Sequence, residues 1–188
     1  MPRRLAAVPR RSAVVPLDRA RRRALAPDPA SPHPRQRLVR RTTAALRLEH
    51  PELRRAPTLQ ELLAVCRRLS VHVSRPVLEP TLLGAAAPSF NGWAIVLVNQ
   101  ALDEEAATAV LLHELGHALL HVRDPQRNAR RIRQLDAWPV EQLHLAPVVR
   151  QEEAEAHLFA ALFFGGDAYA AVLARVAPNR EHVYADVA

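Results

Sequence analysis

One run limits what this chain can fold into more than any other: Val110-Leu-Leu-His-Glu-Leu-Gly-His-Ala-Leu-Leu-His121. Inside it stands a His-Glu-x-x-His pentapeptide, with Glu114 beside His113 and His117 four positions on. An α-helix turns about 100° per residue, so positions i and i+4 share a face, one turn apart. The two imidazoles can then be aimed at one point, as tetrahedral Zn²⁺ requires of histidine ligands. Glu114 falls on the flank from which it can take a proton from a metal-activated water as general base. Apolar neighbours predict a buried helix, and two histidines with a glutamate are costly to bury without a partner such as a metal. A core helix whose histidines bond to backbone also fits the pentapeptide alone, so the reading turns on a third ligand downstream.

The 188 residues suffice for one domain with a sizeable core. A single cysteine, Cys66, excludes an internal disulfide and a zinc site of Cys pairs, and fits a reducing, cytoplasmic compartment. All 26 basic residues are arginine, and they are unevenly placed. Residues 1–55 hold 15 Arg against four acids, while the rest of the chain holds 11 Arg against 15 acids. The high isoelectric point therefore belongs to the N-terminal segment, which also carries seven prolines before residue 35. We expect residues 1–56 to form a disordered Arg/Pro-rich extension and residues 57–188 the folded domain. Such an arm could touch nucleic acid through phosphates, although a solvated extension accounts for it as well. No secretory leader is expected, because Pro9, Pro16 and charges interrupt the N-terminus. Nor is a membrane span: the most apolar stretch, Leu158 to Val176, is broken by Gly165, Gly166, Asp167 and Arg175.

The elements around the motif can be placed from local chemistry. A basic helix fits Arg35 to Leu48, stopping before Pro51. Thr58 and Glu61 form a capping box, after which Leu59, Leu62, Leu63, Cys66 and Leu69 recur at helical spacing. Cys66 is thereby assigned to the core rather than to chemistry. Val71-His-Val73 alternates as a strand with His72 on the outer face. Pro76, Pro80, Gly84, Pro88 and Gly92 mark residues 76–92 as loop. Trp93 to Asn99 is the clearest strand, and Asp103 caps a motif helix running from Glu104 to Val122. A strand beside that helix could hold an extended substrate by edge pairing. His121 stands about 12 Å along the axis from His113, too far to share its metal, and is expected at the helix C-terminal carbonyls.

Residues 124–147 read as a polar, arginine-rich loop with one short helix, lying over the site. Val149 to Phe164 is a helix that offers three carboxylates: Glu152, Glu153 and Glu155. A solvated acidic helix start accounts for Glu152 and Glu153. Glu155, between Ala154 and Ala156, shares a face with Leu158, Phe159 and Leu162, and an inward carboxylate needs a cation. Glu155 is therefore the expected third ligand. The expected fold is α+β, a small, mostly antiparallel sheet packed on the motif helix and the ligand helix.

Taken together, Trp93 to Asn99, Asp103, the His113 to His121 helix and Glu153-Ala-Glu-Ala-His-Leu-Phe-Ala160 resemble the ImmA/IrrE family of metallopeptidases over about residues 57–165. The resemblance implies zinc on His113, His117 and Glu155, with Glu114 as catalytic base. It also implies a protein substrate, a helix-turn-helix transcriptional repressor. An alternative it leaves open is a non-catalytic, metal-stabilised regulator that binds a repressor or DNA. The chain departs from the family where His157 replaces the usual Asn and Phe163-Phe-Gly-Gly166 replaces an aliphatic-Met-Pro ending. Tyr169, His144, His182 and Tyr184 are unranked candidates for stabilising an oxyanion.

Overall fold

The computed structural model describes residues 34–89, 93–136, 139, 142, 144 and 146–177. Its elements are α1 (Pro34–Glu49), α2 (Leu59–Arg68), β1 (Val71–Ser74), β2 (Gly84–Pro88), β3 (Ala94–Val98), α3 (Glu104–His117), α4 (Pro125–Leu135), α5 (Pro147–Phe164) and α6 (Gly166–Val176). A 3₁₀ turn, Pro51–Arg54, follows α1, and a π-helical turn, Ala118–Val122, prolongs α3. The architecture is α+β, helices around a small sheet. Residues 1–33 of the expected extension and 178–188 of the expected domain lie outside the described residues. Residues 34–56, expected to be extension, are instead part of the domain. Val39, Thr43 and Leu46 of α1 are buried, Leu53 of the 3₁₀ turn is fully buried, and α1 packs along α5. The apolar positions there are sparse among arginines, which hid them in composition.

The sheet has the order β1-β3-β2 and is mixed. β2 runs antiparallel to β3 with Gly84 opposite Val98, whereas β1 runs parallel to it with Val71 opposite Ala94. Only one of the two pairings is antiparallel, because the chain reverses twice between β1 and β3, once into β2 and once out of it. β2 itself lies within the stretch read as loop. Gly84-Ala-Ala-Ala-Pro88 has poor strand propensity, and Pro88 is tolerated because the strand is at an edge. Its small residues serve packing. A Cβ on Gly84 would come within 2.8 Å of Val110 Cγ1 and 2.9 Å of Glu114 Cγ, so the glycine lets β2 lie directly on the motif helix.

Helix α2 starts from the expected capping box: Thr58 N–H donates to Glu61 Oε2 at 2.9 Å, and Glu61 N–H to Thr58 Oγ1 at 3.3 Å. Cys66 is fully buried, and burial pushes its thiol up to about 12, so it is a core residue and not a nucleophile. His72 is exposed, as the alternation requires. Asn99, at the end of β3, is buried and donates through Nδ2 to the carbonyls of Leu78, Glu79 and Leu82 at 3.4, 3.3 and 3.0 Å. It thereby anchors the loop that leads into β2.

Helix α3 is the centre of the molecule. Asp103 caps it, accepting from Ala106 N–H at 2.8 Å, and Leu111, Leu112 and Leu115 are fully buried. A Cβ on Gly116 would lie 3.2 Å from Ala156 Cα and from Phe159 Cβ, so this glycine sets how closely α5 crosses α3. α5 and α6 meet at a bend of 119°, and among the described residues no single helix is long and apolar enough to cross a membrane.

Candidate metal centre

The motif helix presents both histidines to one point. His113 Nε2 and His117 Nε2 stand 3.1 Å apart. The carboxylate that meets them comes from α5, and it is Glu153. Its Oε2 is 3.3 Å from His113 Nε2 and its Oε1 is 3.4 Å from His117 Nε2. Four ligands held 2.0–2.2 Å from a tetrahedral zinc stand about 3.3–3.6 Å from one another, close to these three distances.

Protons alone do not satisfy this triangle. If both Nε2 atoms carry hydrogen, each serves Glu153 but the two N–H groups oppose each other at 3.1 Å; if only one does, the other lone pair faces a carboxylate oxygen. A cation at the centre satisfies all three atoms at once. The electrostatics agree. Burial opposes the charged form of Glu153, yet the hydrogen bonds and charges of His113 and His117 hold its carboxyl far below the usual range. Burial likewise opposes charge on His117, but Glu153, then Glu114 and Glu152, raise it above the ordinary histidine value. Glu153 keeps 33% of its side chain exposed, so the triangle is open to solvent on one side.

Glu155, expected in this place, faces elsewhere. It is only 5% exposed, and its Oε2 lies 3.2 Å from His121 Nε2 while Oε1 accepts from Arg35 Nη1 at 3.1 Å. Positions 153 and 155 are about 200° apart around a helix, so one α5 orientation cannot aim both at the same histidines. The face that turns to α3 carries small residues: Ala156 and Ala160, three and seven residues after Glu153, are fully buried, and Ala156 lies against Gly116 together with Phe159. That run of small residues was the sequence clue to Glu153. Glu152 is also buried, and accepts from Arg131 Nε of α4 at 2.7 Å. The short helix expected in 124–147 thus fastens to the ligand helix.

His121 is 3% exposed and does not meet the helix carbonyls as expected. After His117 the helix widens into the π turn, closed by Arg123 N–H to Ala118 O at 3.2 Å, and the ring of His121 folds back so that its Nδ1 is 3.1 Å from His117 Nδ1. π turns inside α-helices recur at functional sites. Burial holds His121 below the ordinary histidine value, against the opposing pull of Glu155. For Glu155 burial is outweighed by His121 and Arg35, which hold it below the usual carboxylate range.

On the other side, the hydroxyl of Tyr169 from α6 is 3.3 Å from His113 Nδ1 and 2.9 Å from His157 Nδ1. Tyr169, a candidate for the oxyanion, therefore stands behind His113. His144 is exposed on the 124–147 connection, and His182 and Tyr184 lie outside the described residues. Donor atoms of His113, Glu153 and His157 also lie within 4.8 Å of one another. His117 reaches both other groups at 3.4 Å or less, so by distance it is the better third member. Glu114 is 7% exposed, on the flank of the triangle beside Gly84 of β2. The arrangement offers two imidazole nitrogens, one carboxylate and an open side, a donor set suited to zinc. No family model, no curated protein and no solved structure matches the chain.

Proposed function

We propose that this chain is a zinc-dependent endopeptidase whose ligands are His113, His117 and Glu153 and whose general base is Glu114. The observation that carries the reading is the triangle of donor atoms 3.1–3.4 Å apart, on a helix whose buried Glu114 follows His113 in the chain. When bound, zinc supplies a Lewis acid that activates water and polarises the scissile carbonyl. The chain's own residues do the rest. Glu114 takes the proton of the attacking water and passes it to the leaving amine. Gly84 keeps the space in which the Glu114 side chain stands. Among the described residues β2 is an edge strand against the motif helix, where an extended peptide would pair beside Glu114.

The substrate class rests on the ImmA/IrrE resemblance of the two motif segments, which supports a helix-turn-helix repressor cleaved in the cytoplasm. The test is cleavage of a panel of such repressors by the zinc-loaded chain, wild type beside Glu114→Gln. The reading predicts discrete fragments from the wild type and a loss of at least about 10²-fold in Glu114→Gln with zinc retained. Equal cleavage by Glu114→Gln removes the assigned base. Repressor released from its operator without cleavage, in both proteins, replaces the peptidase with a binding regulator.

A further inference from the structure

The three glutamates of α5 divide their work, and the third reaches the metal site only through an intermediary. His117 Nδ1, His121 Nδ1, His121 Nε2 and Glu155 Oε2 form a chain with separations of 3.1 Å between the imidazoles and 3.2 Å to the carboxylate. Arg35 Nη1, from the first turn of α1, closes it at 3.1 Å from Glu155 Oε1. His121 and Glu155 are 3% and 5% exposed, so water does not substitute freely for either.

We propose that His121 and Glu155 are positioning residues for the metal. Together they fix the proton of His117 on Nδ1 and turn its Nε2 lone pair toward the site. The inference rests on the zinc reading above. Proton placement follows from connectivity alone. A neutral His117 that offers Nε2 to a cation carries its hydrogen on Nδ1. That hydrogen points at His121 Nδ1, which must then be an acceptor. His121 consequently carries its own hydrogen on Nε2, where the Glu155 carboxylate accepts it. Reversing any one proton sets two donors or two lone pairs face to face along the chain. The four-residue spacing allows this, because it sets His121 one turn after His117 on the same face, here within the π turn. Ligand histidines ordinarily take a carboxylate or carbonyl directly as the partner of their second nitrogen. Here a second histidine is interposed, and it couples the N-terminal helix to metal binding.

Zinc affinity by competition with a chromophoric chelator tests this on the full chain, for wild type, His121→Ala, Glu155→Ala, the double variant and Glu155→Gln. Each Ala variant should bind zinc about 10–100-fold more weakly, and the double variant no more weakly than the weaker single, because the two residues act in series. Glu155→Gln keeps an acceptor for His121 Nε2–H and should recover affinity to within about threefold of wild type. Long-range ¹H–¹⁵N spectra of the zinc-loaded wild type should show His117 protonated at Nδ1 and His121 at Nε2. A purely structural role would lower stability in the Ala variants without this tautomer pair. Affinities within about threefold of wild type for both folded single variants, or His121 protonated at Nδ1, overturn the inference while zinc binding by the wild type leaves the peptidase reading standing. A wild type that binds no zinc overturns both.

Discussion

Gly84→Ala probes the contact between β2 and Glu114, the proposed general base, with a single methyl group. An added Cβ would lie 2.8 Å from Val110 Cγ1, 2.9 Å from Glu114 Cγ and 3.0 Å from Glu114 Oε1. Carbon pairs prefer about 3.5–4.0 Å, so the shortfall is about 0.6–1.2 Å at two atoms at once. Val110 is buried on α3 and Gly84 is paired with Val98, so neither strand nor helix retreats freely. The side chain of Glu114 is the softest of the three. Overpacking of this kind costs about 1–3 kcal/mol, and moving a catalytic group by about 1 Å costs about 10²-fold in rate. Urea unfolding of the zinc-loaded protein measures the first and cleavage kinetics the second. Zinc content should not change, because Glu114 is not one of the three ligands. Gly116→Ala is the control: its contacts are 3.2 Å, and removing a helix-interior glycine returns up to about 1 kcal/mol. It should cost less than Gly84→Ala. Full stability and full rate in Gly84→Ala, or a larger loss in Gly116→Ala, would refute the packing argument.

Phe159→Ala empties a fully buried site between α5 and Gly116 and should cost about 3–5 kcal/mol by denaturant unfolding; a loss under about 1 kcal/mol would mean the core closes over it. Asn99→Ala removes the donor to three loop carbonyls and should cost about 1–3 kcal/mol, with faster amide exchange confined to residues 78–83 and β2; exchange unchanged there would contradict the anchoring role. Arg175 and the N–H of Ala106 hold Asp103 below the usual carboxylate range, so its ionised form favours the folded state. That contribution is present above the unfolded pKa of about 3.9 and is lost as pH falls through the lower folded value. Asp103→Asn keeps the cap but not the charge, and its melting temperature should fall less steeply than wild type below about pH 4; parallel curves would exclude this linkage.

Much of the fold could be read from the chain because local chemistry and packing agree there. Thr58 and Glu61, Asp103, and the apolar run of β3 each specify one outcome, and the structure forms it. What escaped was set by contacts between elements. β2 consists of residues with little taste for strands; it forms by pairing with β3, and Gly84 lets it approach Val110 and Glu114. The helix of α1 was expected over Arg35 to Leu48, but its place in the core was hidden among arginines, since three buried positions in sixteen leave a faint pattern. At the site, His113, His117 and Glu114 follow from helix geometry, which operates within one element. The choice between Glu153 and Glu155 depends on how α5 is rotated, and that rotation is fixed by the packing of Ala156 and Phe159 against Gly116. The apolar face drew attention to Glu155, which is indeed buried, but against His121 and Arg35. His121 was misplaced because its i+4 spacing from His117, which puts the two rings on one face, was read only against His113; its partners are His117 and Glu155.

The central claim is the identity of the three metal ligands, and metal content tests it most directly. Purified wild type, Glu153→Ala and Glu155→Ala should be dialysed against the same zinc-buffered solution and analysed for metal per chain. The account predicts about one zinc in the wild type, none in Glu153→Ala, and in Glu155→Ala a site that fills at raised free zinc. Zinc retained in Glu153→Ala and lost irrecoverably in Glu155→Ala would contradict it, and would return the third ligand to the residue that faces His121.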